Sequence, residues 1–211
     1  ARELSNLDNL PFPDYNELPL SRYYDPIARR HPCLPLRASR GCPYQCIFCV
    51  APQVFYNHRV RYRSPDKVAN DISQLIALGS REIFIDDDTF TFNKRWVMDI
   101  CQELVRRKIR IDWSCFARYD NIDEEILRAL KRANYYMLRF GIESGSQDIL
   151  DYCQKGLTIN RIKEASKLVK RYGMKTHVTV MFGLPGETKE TMAQTLNLVK
   201  EVHELRALFY P

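Results

Sequence analysis

The chain has 211 residues, 45% hydrophobic and 27% charged, and its 32 Lys and Arg against 26 Asp and Glu leave a formal charge of +6. With 11 Pro and 8 Gly it is neither collagen-like nor a low-complexity polymer, and at about 150 residues per domain it has room for one core and an appendage. No run of about 18 apolar residues occurs and the first six lack the apolar stretch of a signal peptide, so the chain reads as a soluble, cytoplasmic protein without a transmembrane segment.

Residues 1–34 hold Leu10-Pro11-Phe12-Pro13, Leu18-Pro19, Asp25-Pro26 and His31-Pro32 among several aromatic side chains. Each proline removes a backbone donor and disfavours helix in the residue before it, so this stretch is expected as a linker or a packed arm. Residues 34–40 read as a strand, broken into a loop by Gly41-Cys42-Pro43-Tyr44. Ser64-Pro65 supplies a cap and a first-turn proline for a helix with Val68, Ile72, Leu75 and Ile76 on one side, ending at Gly79.

A β-rich run at 82–86 precedes a helix whose stripe is Val97, Ile100, Cys101, Leu104 and Val105. The alternation continues with strand 109–117, helix 123–133, strand 136–142, helix 158–172, strand 176–182, helix 188–203 and a strand begun at 206–210. Strands alternating with helices imply right-handed βαβ units and a parallel sheet. The predicted fold is therefore α/β: a partial (βα)6 TIM-like barrel over residues 35–211, truncated at its C-terminal side. In such barrels chemistry sits at the carboxyl ends of the strands.

Seven cysteines make a disulfide framework improbable in an unsecreted chain. Three of them form Cys42-Pro43-Tyr44-Gln45-Cys46-Ile47-Phe48-Cys49, placed just after the first predicted strand. Three thiolates on so short a loop can hold three irons of a [4Fe–4S] cluster and leave the fourth open to another ligand. The competing readings are a structural zinc site, for which only His58 is near as a fourth ligand, and three unligated core thiols. Cys33, Cys101, Cys115 and Cys153 are scattered and expected as small buried groups. Asp86, Asp87 and Asp88 are adjacent at a strand end, where unpartnered carboxylates repel, so at least one should bind something and another could cap the next helix.

The segments Gly183-Leu184-Pro185-Gly186-Glu187-Thr188 and Gly141-Ile142-Glu143-Ser144-Gly145 match neither a phosphate loop nor a GxSxG elbow. His31, His58, His177 and His203 show no triad or HExxH spacing. The basic residues are dispersed, with Arg106-Arg107-Lys108 and Lys131-Arg132 near helix ends, so no nucleic-acid partner is favoured.

Residues 39–49 resemble the signature of radical S-adenosylmethionine (SAM) enzymes. Residues 59–65, 86–91, 140–146 and 182–188 are similar to the cobalamin-dependent branch, and the resemblance spans roughly residues 34–205. It implies that Cys42, Cys46 and Cys49 hold the cluster. The amino and carboxylate groups of SAM then chelate the open iron, and one electron cleaves SAM to methionine and a 5′-deoxyadenosyl radical.

By the same resemblance Phe48 packs by the cluster and adenine, Glu143 accepts from ribose hydroxyls and Lys155 meets the SAM carboxylate. Thr179 and Met181 line ribose and adenine, and Asp86 or Asp87 faces the methionine amino group. Arg118 meets the SAM carboxylate or substrate, or pairs with Asp120. The family's chemistry implies a small-molecule substrate attacked at carbon, by methylation or ring formation, and an electron donor such as flavodoxin or ferredoxin. Cobalamin would bind a domain preceding the barrel. Within the same chemistry the alternative is tRNA methylthiolation; outside it, a non-catalytic iron–sulfur module.

Overall fold

The computed structural model describes residues 6–15, 18–22, 25–51 and 58–202. Its elements are β1 (Cys33–Leu36), β2 (Ser39–Arg40), β3 (Arg61–Tyr62), α1 (Pro65–Ala77), β4 (Glu82–Ile85), α2 (Lys94–Arg106), β5 (Asp112–Ala117), α3 (Glu124–Arg132), β6 (Tyr135–Glu143), α4 (Gln147–Tyr152), α5 (Ile159–Arg171), β7 (Lys175–Val180) and α6 (Lys189–Val202). The strands β1, β4, β5, β6 and β7 form one parallel sheet in that order. Each strand after β1 thus adds to the same edge, the order of an opened barrel wall. No described helix is long and apolar enough to cross a membrane.

Helices start where the sequence supplies an acceptor for their first amides. Ser64 Oγ accepts from Lys67 N, and Asn93, Asp123 and Thr158 do the same for α2, α3 and α5. α3 also carries Glu124 and Glu125 in its first turn and Lys131 and Arg132 in its last, each opposing the helix end charge.

The helices bury Val68, Ile72 and Leu75, then Val97, Ile100 and Leu104, then Ile126, Leu127 and Leu130 in one core with Leu34, Ile83, Ile85, Trp113, Cys115, Leu138 and Phe140 of the sheet. Alternate strand residues face the other way. That concave side carries Phe84 and Phe116 in edge contact at 5.3 Å, with Arg139 over Phe84 at 3.8 Å. Thr195 of α6 accepts from Gly145 N at 2.8 Å, seating the last helix against the loop after β6.

Three features depart from the expected pattern. The strand predicted over residues 34–40 is two elements: β1 joins the sheet, whereas β2 leaves it to pair antiparallel with β3. α4 is a short extra helix, too brief for a periodic stripe. The strand begun at 206–210 lies outside the described residues, so the described sheet holds five of the six predicted strands.

The proline-rich arm lies against the amino ends of the strands. Arg29 N and Arg30 N both donate to Glu82 Oε2 at 3.0 Å, Arg29 pairs with Asp112 at 2.6 Å, and Asp25 pairs with Arg139 at 2.5 Å. Arg139 is buried, with Ser114 Oγ at 3.3 Å as a further acceptor. Removing one partner of a buried pair leaves the other charge uncompensated. Asp25→Ala should therefore cost about 3 kcal/mol, measured by urea unfolding of the chain; an unchanged midpoint would show that the Asp25–Arg139 pair contributes nothing to stability.

Candidate cluster and cofactor site

The cysteine loop leaves the sheet at Ala38 and returns at Arg63, where Arg63 N donates to Ala38 O at 2.9 Å. At Gly41, φ is +109°, and a Cβ there would stand 1.8 Å from Arg59 O. Only glycine lets the two arms of the loop approach so closely. The aspartate run ending β4 holds the loop in place. Asp87 Oδ1 accepts from Ala38 N at 2.8 Å and Ser39 N at 2.9 Å, and its Oδ2 accepts from Ser39 Oγ at 2.7 Å. Asp88 Oδ2 accepts from Gly41 N at 2.9 Å, and Asp86 pairs with Arg37 at 2.9 Å.

The repulsion expected of three adjacent carboxylates is thus relieved by donors to each, with Arg37 shared between Asp86 and Asp88. None of them caps the following helix, whose cap is Asn93. Asp87 is fully buried, and burial lifts its carboxyl to about 7 against the opposing pull of the Ser39 and Ala38 donors.

None of the seven cysteines forms a disulfide; Cys46 is buried, and Cys42 and Cys49 are half-buried. Cys42 Sγ lies 3.6 Å from Thr89 Oγ1. Ile47 N donates to Cys153 O at 3.1 Å, anchoring the loop to the end of α4. Burial pushes the Cys46 thiol up, while Lys155 and Arg118 pull it down.

Arg118, immediately after β5, is buried. Its Nη1 is 3.9 Å from Cys46 Sγ, its Nε and Nη2 each donate to Asp120 at 3.1 Å, and Nη2 donates to Lys155 O at 2.7 Å. Its guanidinium lies over the Tyr44 ring at 3.5 Å.

Glu143 ends β6 at φ +66°, a left-handed conformation that costs a non-glycine residue about 1 kcal/mol or more. The register with β7 slips at this point, between Gly141 and Glu143. The consequence is that the Glu143 side chain folds back over Gly141, where a Cβ would stand 2.0 Å from its Oε1. That oxygen accepts from Lys155 Nζ at 2.9 Å in a buried pair, and Lys155 Nζ stands 5.6 Å above the Phe48 ring. Met181 N donates to Glu143 O at 2.9 Å, and Met181 packs with Phe48 against Ile149, Cys153 and Leu184.

One neighbourhood therefore gathers Cys46, Phe48, Arg118, Glu143, Lys155 and Met181 from four separate parts of the chain. Thr179 is exposed on β7, in register with Gly141. Asp86 and Asp87 lie at the base of the loop, engaged by Arg37 and by Ala38 and Ser39. Tyr44, Thr89 and Cys153 were not singled out as site residues by the sequence, whereas Asp88 was read with its two neighbours as a carboxylate run of which at least one member should bind something, and it holds Gly41 N. Of the three that were missed, only Tyr44 carried a signal, its place between two of the cysteines.

Among the described residues no three His, Cys, Asp or Glu side chains gather tightly enough to enclose a single metal ion. A cuboidal cluster asks for something different, one thiolate on each of three separate irons. Three cysteines on one strand-end loop, with two cationic side chains beside Cys46, suit such an anionic group.

Residues 36–199 match the family described as the radical SAM superfamily. The chain belongs to the radical SAM superfamily. It is 32% identical over 200 residues to an uncharacterized methyltransferase of Pyrococcus horikoshii, covering 94% of this chain and 43% of that protein. It is 30% identical over 202 residues to the anaerobic magnesium-protoporphyrin IX monomethyl ester cyclase of Rubrivivax gelatinosus, covering 94% of this chain and 36% of that one. The chain thus spans less than half the length of these relatives.

Among solved structures, the radical SAM methyltransferase TsrM from Kitasatospora setae superposes with a TM-score of 0.74 at 23% identity, over 81% of this chain and 34% of TsrM. That likeness shows the fold. Membership makes this chain the core of an enzyme whose cofactors are a [4Fe–4S] cluster and SAM, and the predicted partial-barrel fold is the one observed.

The Asp87 clamp has a pH signature. Its carboxyl titrates higher folded than unfolded, so its contribution to stability is complete below about pH 4 and is lost as the pH rises through about 7. Asp87→Asn keeps an acceptor for Ala38 and Ser39 and should flatten that dependence. Thermal melts at pH 5 and pH 8 check it; parallel pH profiles for the two proteins would refute the assignment.

Proposed function

We propose that this core belongs to a radical SAM enzyme that acts on a carbon centre of a small molecule, by methylation or ring closure, with cobalamin bound by another part of the protein. The observation that carries the reading is the convergence of Cys46, Arg118, Glu143 and Lys155 at the carboxyl ends of parallel strands, where barrels place their chemistry. The named activities of the relatives, a methyltransferase and a cyclase, support the same two outcomes.

In this reading Cys42, Cys46 and Cys49 hold the cluster and leave one iron for the amino and carboxylate groups of SAM. Held there, the cluster would supply the electron for reductive cleavage of SAM. The remaining tasks fall to the chain. Lys155 faces the SAM carboxylate and Glu143 the ribose hydroxyls, so their mutual ion pair keeps both heads in place over Gly141 before SAM arrives. Phe48 and Met181 form the apolar wall for adenine, with Thr179 toward the ribose.

Of the two aspartates considered for the methionine amino group, Asp86 is the better placed. Its partner Arg37 is partly exposed, whereas Asp87 is buried and spends both oxygens on the loop. An electron donor of the flavodoxin or ferredoxin type completes the scheme.

Anaerobic reconstitution with iron and sulfide, followed by dithionite and SAM, should yield 5′-deoxyadenosine from the protein that contains this core. Iron and sulfide binding with no SAM cleavage would favour the non-catalytic module instead. Cys46→Ala should lose the visible absorbance of the cluster, and retained absorbance would refute the ligand assignment. Gly141→Ala should leave the fold intact, because the atoms it meets are the far ends of two long side chains, Glu143 and Lys155, rather than backbone, yet weaken SAM binding about tenfold by displacing a charge-assisted hydrogen bond. Equilibrium binding of SAM to the reconstituted protein measures it, and wild-type affinity would remove Glu143 from the SAM site.

A further inference from the structure

Arg118 presents a planar fork whose sides meet different partners. One edge, Nε and Nη2, is taken by both oxygens of Asp120 at 3.1 Å, and Nη2 also donates to Lys155 O at 2.7 Å. The other edge, Nη1, reaches Cys46 Sγ at 3.9 Å. The face lies 3.5 Å from the centre of Tyr44, a residue of the cysteine loop itself, whose hydroxyl donates to Asn121 Oδ1 at 3.0 Å. The guanidinium is therefore locked to the loop twice, through a ring and through a sulfur, and it is buried where water screens little.

With its donors already engaged in this way, Arg118 is poorly suited to follow a mobile ligand such as SAM or substrate. A fixed cation at a sulfur is suited to something else. Hydrogen bonds and charge beside cluster sulfurs are among the determinants of cluster reduction potential.

We propose that Arg118 is a positioning residue of the cluster, donating a hydrogen bond to the Cys46 thiolate and raising the cluster's reduction potential, with Asp120 moderating its charge and Tyr44 fixing its plane. The inference rests on the cluster reading given under Proposed function. The balance is simple: one electron arrives from a reductant such as dithionite, no bond breaks, and the site becomes one unit more negative. A buried cation at 3.9 Å favours the more negative state.

The test is a redox titration of the reconstituted protein, followed by the paramagnetic signal of the reduced cluster, with iron and sulfide content measured in parallel. Arg118→Gln should lower the reduced-to-oxidised ratio at fixed poise about tenfold, about 59 mV for a one-electron couple. Arg118→Lys, which keeps charge without the fork, should recover part of that loss. Asp120→Asn should move the midpoint the opposite way, since it removes the counter-charge; a residue of merely structural importance would not produce opposite shifts.

Full cluster content with unchanged midpoints in Arg118→Gln and Asp120→Asn overturns the proposal and leaves the cluster assignment standing. If Arg118→Gln holds no cluster, Asp120→Asn decides: a raised midpoint supports the role, and an unchanged or lowered one rejects it. A wild-type protein that takes up no iron and sulfide overturns the cluster reading itself.

Discussion

Carboxylates at the end of β4 hold the cysteine loop by its backbone. The base of the loop forms only a two-residue ladder, Ser39 and Arg40 with Tyr62 and Arg61, so the amides facing away from it need other acceptors. Ala38, Ser39 and Gly41 donate instead to Asp87 and Asp88. The parallel register that sets Leu36 beside Ile85 brings these carboxylates within reach. The entry of the cysteine loop, up to Gly41, is set by that pairing, and a slip of one residue would turn the aspartates to the opposite face.

Charge is the second theme. A three-thiolate cluster is anionic, and the side chains drawn toward Cys46 are Arg118 and Lys155, each tied to its own carboxylate, Asp120 or Glu143. Buried ions without partners are costly, so the cations beside Cys46 each come with a carboxylate partner. The left-handed backbone at Glu143 and the missing side chain at Gly141 are local concessions to that arrangement. They stand at a strand end, where such departures cluster in functional sites.

The two ends of the sheet divide the labour. At the carboxyl ends are the cysteine loop, the two ion pairs and the apolar wall of Phe48 and Met181. At the amino ends the arm packs Asp25, Arg29 and Arg30 against Arg139, Asp112 and Glu82. This separation is the one barrels use generally, stability below and chemistry above. It explains why a segment rich in proline is nonetheless part of the folded core.

What the sequence alone determined is what local spacing determines. Helix stripes such as Val97, Ile100 and Leu104, caps such as Ser64, and the triad of cysteines within eight residues are all short-range patterns that appear in the fold where they were expected, although Ile76 and Val105, read on the same stripes, are exposed. The strand read over residues 34–40 was not legible in the same way, because its division depends on β3, some twenty residues later, offering β2 a different partner. The roles of Asp87 and Arg118 were likewise beyond local reading. A carboxylate or a guanidinium has the same chemistry wherever it sits; only the packing of β1 against β4, and of β5 beside the cysteine loop, decided that one would grip amides and the other a sulfur. Contacts between residues tens of positions apart arise from burial and register across the whole sheet, and no periodicity in the chain encodes them.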